Sequence, residues 1–351
     1  MARPAPPARI FQDNALLDPA RQGMLLDRAK RLGGRGIQQD VVWGDVVTPG
    51  GGYDPGAIAK LMAELKAANA RGLRPQVRLM GTPYYQMKNK PGVDDRLSAV
   101  HPNAALMQMF ARDMARAFGG QVSKYTVWNE PNIGAFLRPE LNEGQRATVG
   151  PGIYRQLYRA GRMGVKEANR NAKVGLGELT AGSPQQSRGH ASTIGWLNSI
   201  LNGGKPITTD FVAIHPYQWS NPARQPRGMD PGFGGISNLQ AVNDAITRAY
   251  KRGRLRTGTG KRPGLTLSEF GYKHSAQRNP AQRAAWLKRA LQQAADAHVQ
   301  SVNLYQMLPS KPGDSWDSSI LDAQGHVSAA MAQALRGRPT ARAATIRRRK
   351  R

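Results

Sequence analysis

Short apolar runs alternate with longer amphipathic stretches along most of the chain. In the stretch 54–71, apolar residues from Ile58 to Leu65 recur at i, i+3, i+4 and i+7, which is the spacing of one helical face. The pattern predicts strands at 9–13, 36–43, 74–80, 123–128, 172–176, 211–215, 265–269 and 299–306. It predicts helices at 19–32, 54–71, 103–118, 153–169, 192–201, 238–252, 281–297 and 327–335.

This alternation is typical of parallel strands joined by right-handed crossovers through helices. Eight strand–helix units fit a closed (β/α)8 barrel, the TIM barrel of the α/β class, better than an open sheet. The predicted connections from helix to strand are mostly short, whereas those from strand to helix are long, so one face of the barrel is elaborated. We therefore predict one catalytic domain at 1–338, with its site among the long βα loops of the C-terminal face, and a basic, disordered tail at 339–351.

Composition excludes several kinds of protein and leaves one alternative open. The chain has no cysteine, which removes disulfides and cysteine nucleophiles. No apolar run approaches the roughly 20 residues of a membrane helix. The 51 Lys and Arg residues outnumber 23 Asp and Glu residues, giving a net charge of +28. A charge of this size attracts polyanions, so a nucleic-acid or polyanion binder is an alternative, with nonspecific attraction as its simplest form.

Two glutamates stand at the ends of predicted strands. Glu130 follows the fourth strand, and Glu269 ends the seventh. Because the carboxyl ends of barrel strands open onto one central pocket, we expect both side chains at its mouth. Glycoside cleavage uses such a pair: a carboxylic acid protonates the leaving oxygen, and a carboxylate attacks the anomeric carbon. Alternatively, both glutamates are ion-pair partners of the many arginines.

The sequences around these glutamates resemble motifs of glycoside hydrolase clan A. Trp-Asn-Glu-Pro-Asn at 128–132 is similar to the acid/base motif after the fourth strand, and Ser-Glu-Phe-Gly at 268–271 is similar to the nucleophile motif after the seventh. Segments 80–83, 210–217 and 316–329 resemble further motifs of the clan in the same order. The resemblance spans about residues 11–335 and is closest to the family 39 and family 5 (cellulase-like) enzymes of actinobacteria.

The resemblance implies a retaining glycosidase that acts on a poly- or oligosaccharide by double displacement and needs no cofactor. Glu130 would be the general acid/base and Glu269 the nucleophile. It also implies that Asn129 binds the sugar 2-hydroxyl, that Tyr217 orients the nucleophile, and that His215 lies beside the reacting sugar.

Aromatic side chains at strand ends and in loops offer flat surfaces for sugar rings: Trp43, Tyr84, Tyr85, Phe136, Trp219, Tyr305 and Trp316. Of these, the predicted substrate-binding residues are Trp43, Tyr305 and Trp316, together with Gln306 at the end of the eighth strand.

Two positions depart from the clan pattern. Many members carry an arginine on the second strand where this chain has Gln38, and Arg78 on the third strand is the candidate replacement. The eighth strand lacks the tryptophan that often floors the first sugar subsite, and Tyr305 or Trp316 is the candidate replacement. These departures keep a second alternative open, a carbohydrate-binding barrel with weak or no catalysis.

The remaining predictions concern metals, partners and location. The six histidines show no paired ligand spacing, so no catalytic metal is predicted. We expect a carbohydrate substrate, no membrane association and a monomer. The N-terminal residues include prolines where a signal peptide needs an apolar core, so no export signal is predicted, although the resemblance favours a secreted protein.

Overall fold

The computed structural model describes residues 4–48, 50–81, 99–100, 102–138, 149–182, 192–224, 226, 231–274, 279–312 and 316–336. Tyr84, Tyr85, positions 82–83 of the third-strand motif and the basic tail 339–351 lie outside these residues, as does part of each long strand-to-helix loop.

Eight parallel strands form a closed barrel, which confirms the predicted fold class. Each strand pairs with the next one along the chain, and β1 pairs with both β2 and β8, which closes the sheet. All carboxyl ends therefore meet at one face. The strands are β1 Ala8–Gln12, β2 Gly36–Val42, β3 Arg74–Met80, β4 Lys124–Val127, β5 Lys173–Thr180, β6 Phe211–His215, β7 Gly264–Phe270 and β8 Ser301–Tyr305. Short strands that were not predicted pair outside the barrel: Ala99–Val100 with Leu137–Arg138, and Ile207–Thr208 with Leu255–Arg256.

In the part of the chain that the structure describes, eight helices surround the barrel and bury their apolar faces against it. Several begin after an Asp, Asn or Ser whose side chain accepts a hydrogen bond from an amide of the first turn; these caps are Asp18, Asp54, Asn103, Ser192 and Asn279. The helices are α1 Pro19–Arg31, α2 Pro55–Ala70, α3 Ala104–Phe118, α4 Gly150–Ala168, α5 Thr193–Asn202, α6 Leu239–Lys251, α7 Pro280–Asp296 and α8 Ala329–Arg336. Short 3-10 turns occupy Asn14–Leu17, Trp43–Asp45, Gly119–Gln121 and Ile236–Asn238. Among the described residues, none of the helices combines the length and apolar character that crossing a bilayer requires.

The largest difference from the predicted boundaries is at β5, which continues past residue 176 to Thr180. Its pairing with β6 changes register between Gly177 and Leu179, so that Glu178 is an extra residue in a β-bulge. Gly177 has a φ of +115°, and a Cβ there would lie 2.3 Å from the carbonyl oxygen of Ala213. Glycine is therefore required for β5 to bulge at this point.

Candidate active site

A buried arginine organises the carboxyl face of the barrel. Arg78 projects from β3, and its Nη2 atom lies 2.7 Å from Oε1 of Glu269 and 2.7 Å from Oδ2 of Asp40. Its Nη1 atom lies 2.6 Å from Oε2 of Glu178. The guanidinium thus joins carboxylates from β2, β5 and β7, and its fixed fork of donors suits this bridging geometry.

Glu269 is directed into this cluster by an irregularity in β7. The register between β7 and β8 shifts between Leu267 and Phe270, so Ser268 and Glu269 lie in the irregular part. The carbonyl of Ser268 accepts hydrogen bonds from the amides of Gln38 and Asn303. These contacts fix the backbone of the residue that precedes the glutamate.

Glu130 lies beside His215 on the other side of the pocket. Oε1 of Glu130 is 2.9 Å from Nδ1 of His215, and Oε2 of Glu269 is 3.5 Å from the same nitrogen. Carboxylate oxygens of the two glutamates come within 4.8 Å of each other and of that ring. The Glu130 side chain retains 14% exposure and that of Glu269 retains 11%, whereas the His215 side chain is fully buried. The two carboxyl groups are therefore partly accessible, as is that of Asp40 at 18% exposure.

Strained backbone is concentrated at this site. Within the described chain, the non-glycine residues with positive φ are Trp128, Glu130, Glu178 and His298, and the first three belong to the site or adjoin it. Left-handed conformations of such residues cost about 1–3 kcal/mol each and persist where the surrounding structure enforces them. The strain at Glu130 and Glu178 therefore accompanies the placement of their carboxyl groups.

The site carries two fixed positive charges. Burial acts to lower the pKa of His215, but the charge of Glu269 and the hydrogen bond to Glu130 outweigh burial and raise that pKa to about 10. Burial likewise opposes the charge of Arg78, but the surrounding carboxylates raise its pKa above the ordinary range. For Glu178, burial is outweighed by Arg78 and His215, which lower its pKa. The cluster at neutral pH therefore contains an imidazolium and a guanidinium among carboxylates.

Glu130, His215 and Glu269 could also ligate a cation, since their ligand atoms are mutually within 4.8 Å. Two observations disfavour this arrangement. The imidazole is held protonated, and a metal ligand must be deprotonated. Arg78 already supplies a positive charge to Glu269. The absence of a catalytic metal stays a prediction.

Besides His215, two of the predicted substrate-binding residues, Tyr217 and Asn129, lie at the glutamates. Tyr217 donates a hydrogen bond from its hydroxyl to Oε2 of Glu269 at 3.0 Å. Asn129 is buried beside Glu130 in the chain, and its Oδ1 atom has no hydrogen-bond partner among the described residues. A buried amide oxygen of this kind is a group that a substrate hydroxyl could satisfy.

Aromatic rings extend from the nucleophile candidate toward solvent. Trp316 packs edge-on against Tyr217, with ring centroids 4.8 Å apart, and against Trp219, with centroids 4.9 Å apart. Trp316 is partly buried, whereas Trp219 is 54% exposed. The rings therefore form a continuous aromatic surface that begins at Glu269.

The other predicted binding residues differ in position. Tyr305 is partly exposed, and its hydroxyl is close enough to Glu269 for that charge to raise its pKa, after burial as the main cause. Gln306 uses its amide nitrogen to hold the following loop, through the carbonyl of Leu308 and the hydroxyl of Ser310. The Trp43 ring is only 2% exposed and stacks on Phe110 in α3 at 4.7 Å. Trp43 therefore packs in the core, away from the pocket, and we do not include it in the proposal below.

Sequence reasoning missed Asp40 and Thr126. From its place at the end of the fifth strand, Glu178 could be interpreted as lining the cleft or, more simply, as a structural ion-pair partner. Asp40 bonds Arg78 and receives hydrogen bonds from Gln12, while the Thr126 hydroxyl donates to Glu178. The available signal was period-two alternation, which places polar residues on the barrel interior of otherwise apolar strands. The interior positions of a barrel mouth are where such residues contribute to a site.

A scan against protein-family models and a search of curated proteins each find no match. Solved structures do resemble the fold. A family 39 glycoside hydrolase from the gut symbiont Bacteroides cellulosilyticus WH2 aligns with a TM-score of 0.66 and 17% identity over 94% of this chain and 63% of that one. A family 39 β-xylosidase from Caulobacter crescentus aligns with a TM-score of 0.65 and 19% identity over 95% of this chain and 71% of that one. An exo-β-1,4-mannosidase from Opitutaceae bacterium strain TAV5 aligns with a TM-score of 0.64 and 17% identity over 95% of this chain and 59% of that one. The chain thus has the fold of these enzymes and spans about two thirds of their length.

The raised pKa of His215 makes a prediction for stability. Because the folded pKa is about 10 and the ordinary value is 6.5, the contribution of the imidazolium is fully present below about pH 6.5. It should decline as pH rises toward 10. We expect the free energy of unfolding of the native chain to fall over this range more steeply than that of His215→Gln, as measured by urea denaturation. His326→Gln, which alters an exposed histidine, should follow the native curve. Parallel curves for the native chain and His215→Gln would contradict the assignment.

Proposed function

We propose that the protein is a retaining glycoside hydrolase that cleaves O-glycosidic bonds of an oligo- or polysaccharide. Glu130 is the general acid/base, and Glu269 is the nucleophile. Asn129, His215, Tyr217, Tyr305, Gln306 and Trp316 form or support the sugar-binding site. The fold shared with solved glycoside hydrolases agrees with this proposal.

The spacing of the two carboxyl groups is the observation that carries the proposal. Retaining enzymes hold their carboxyl groups about 5–5.5 Å apart, whereas inverting enzymes need about 6.5–9.5 Å to admit a water molecule. Oxygens of Glu130 and Glu269 lie within 4.8 Å of each other. This spacing supports direct attack by Glu269 on the anomeric carbon, with no water between them.

The surroundings of Glu269 suit a nucleophile. Arg78 contacts Oε1 and Tyr217 contacts Oε2, so each carboxylate oxygen has a donor. The two contacts restrain the rotation of the carboxylate. Attack on the anomeric carbon then forms a glycosyl-enzyme in a near-attack geometry, without a large reorganisation of the side chain.

The surroundings of Glu130 suit a group that exchanges a proton. In the first step, protonated Glu130 gives its proton to the leaving oxygen. It is then a carboxylate that His215 Nδ1 can hydrogen-bond at 2.9 Å. In the second step, Glu130 takes a proton from water as that water attacks the glycosyl-enzyme. A charged His215 beside the group favours this intermediate state, and Oε2 of Glu178 lies 3.4 Å from Nε2, the other ring nitrogen.

A direct test is to trap the glycosyl-enzyme. Incubation with 2-deoxy-2-fluoro glycosides that carry a good leaving group should label the protein once, and peptide mass spectrometry should place the label on Glu269. Proton NMR of the first product should show the anomeric configuration of the substrate. A label on another residue would refute the nucleophile assignment, and initial release of the opposite anomer would refute retention.

The aromatic surface predicts an additional sugar subsite at Trp219. Loss of its partly exposed indole should cost about 1–2 kcal/mol of apolar contact with a sugar ring. For Trp219→Ala we therefore expect KM for an oligosaccharide to rise about 5- to 30-fold, with kcat on a single-sugar aryl glycoside within about twofold of the native value. Steady-state kinetics on both substrates measure this, with Tyr250→Ala on the outer surface of α6 as the matched control. Equal KM values for native protein and Trp219→Ala would exclude the subsite.

A further inference from the structure

A second cavity lies at the opposite end of the barrel from the glutamates. It has a volume of about 1070 Å³ and is bounded by the N-terminal end of β1, the turn between α1 and β2, the residue before β8, and the outer parts of α7 and α8. Among the described residues that line it, five side chains are cationic, and none is a carboxylate or an aromatic ring. The cations are Arg9, Lys30, Arg35, Lys288 and Arg289.

These charges are uncompensated. None of the five forms an ion pair or a side-chain hydrogen bond with the part of the chain that the structure describes, in contrast to Arg78 in the active site. Arg9 and Arg35 are close enough to repel each other: burial and then the charge of Arg35 lower the pKa of Arg9. Like charges that share a concave surface favour the binding of an anion, because field lines concentrate there.

The shape and lining of the cavity restrict the class of anion. Neutralising five cations requires several negative charges, more than a single small anion carries. Duplex DNA is too wide for a cavity of this volume. A single nucleic-acid strand is normally held by stacking of its bases on aromatic side chains, and this lining has none. Recognition must therefore rest on charge and on polar contacts, for which Gln300 also lines the cavity.

We propose that this cavity, the basic cavity, binds a segment of an acidic polysaccharide through its sulfate or carboxylate groups. Arginine forks pair with such groups in two-point contacts. Bound at the end of the barrel opposite Glu130 and Glu269, the polymer would be held while the active-site face remains open. The proposal does not depend on the catalytic assignment, since it uses no residue of that site.

The test compares dextran sulfate with neutral dextran of the same length, using the full chain. Binding is measured by calorimetry at about 0.15 M salt, and dextran should not bind at the cavity. In a triple variant, Arg35→Gln/Lys288→Gln/Arg289→Gln, we expect affinity for dextran sulfate to fall at least about 10-fold, with a shallower dependence on salt. All three side chains are exposed, so the fold should be retained.

A charge-matched control separates the cavity from the overall charge. The variant Arg159→Gln/Lys251→Gln/Arg252→Gln removes the same charge from exposed positions outside the cavity, and its affinity should change less than about twofold. Equal losses in both variants would overturn the proposal in favour of nonspecific attraction. If a single-stranded oligonucleotide of equal charge binds more tightly and loses affinity only in the cavity variant, the ligand class is wrong. Aryl-glycoside turnover of the cavity variant should match the native chain, and absence of turnover in both would count against the catalytic proposal alone.

Discussion

Glu269→Gln is expected to reduce kcat on aryl glycosides by about 10⁴- to 10⁶-fold, the scale of loss when a covalent nucleophile is removed. The amide has nearly the same shape: its oxygen can still accept a hydrogen bond from Arg78, and its NH2 group can donate one to the Tyr217 hydroxyl. It cannot form the glycosyl-enzyme, however, because an amide oxygen is a poor nucleophile. The melting temperature should therefore change little while turnover disappears.

Two further variants provide the comparisons that are needed to interpret the result for Glu269→Gln. Glu167→Gln makes the same chemical change at an exposed position on α4 and should keep native turnover. Glu130→Gln should lose about 10²- to 10⁴-fold on substrates whose leaving group needs a proton, and much less on activated aryl glycosides that need none. If Glu269→Gln hydrolyses aryl glycosides at the native rate, the nucleophile lies elsewhere. If Glu130→Gln is equally impaired on activated aryl glycosides and on substrates whose leaving group needs a proton, Glu130 is not the acid.

Arg78→Met is expected to destabilise the fold by about 3–5 kcal/mol, as for other buried ion pairs that lose one partner. The substitution preserves much of the side-chain volume but removes the cation that Asp40, Glu178 and Glu269 share. The imidazolium of His215 then remains near Glu178 and Glu269, whereas Asp40 loses its cationic partner. Glu178 is affected most, because its side chain is fully buried and cannot turn to water. Urea denaturation at neutral pH measures the loss.

The control for this change is Arg71→Met. Arg71 also forms an ion pair, with its Nε atom 2.8 Å from Oδ1 of Asp27, but this pair is exposed to solvent. Exposed pairs contribute about 0–1 kcal/mol, so the loss should be correspondingly small. Because protonation relieves the repulsion among carboxylates, the defect of Arg78→Met should shrink at acidic pH. A defect no larger than that of Arg71→Met would show that Arg78 does not organise the cluster.

The arginine also bears on the departure from the clan pattern at position 38. Gln38 donates to the carbonyl of Ser268 and so supports the backbone next to the nucleophile candidate. The charge reaches Glu269 from the neighbouring strand instead, through Arg78. Arg78 on β3, the candidate replacement for the arginine that many clan members carry on the second strand, thus lies at the nucleophile candidate.

Local patterns of apolar and polar residues were sufficient to predict the architecture. Apolar periodicity distinguishes 2-residue from 3.6-residue repeats, and the alternation of strands and helices leaves few topologies, so the eight-stranded barrel could be predicted. The same reasoning placed Glu130 and Glu269 at one face, because every parallel strand ends there. Neither step required knowledge of contacts between distant residues.

The contacts within the site required the closed barrel. Arg78, Glu178 and His215 lie on β3, β5 and β6, and only closure with a particular register brings their side chains together. The bulge at Glu178 and the irregular part of β7 at Glu269 change which face a residue points to, and strand periodicity cannot reveal such a change. Trp43 illustrates the same limit: it follows β2 directly, yet the 3-10 turn that begins there directs its ring onto Phe110 in the core. The sequence by itself determined the fold and the face that carries the glutamates, whereas tertiary packing decided which charges surround them, because those distances depend on strands far apart in the chain.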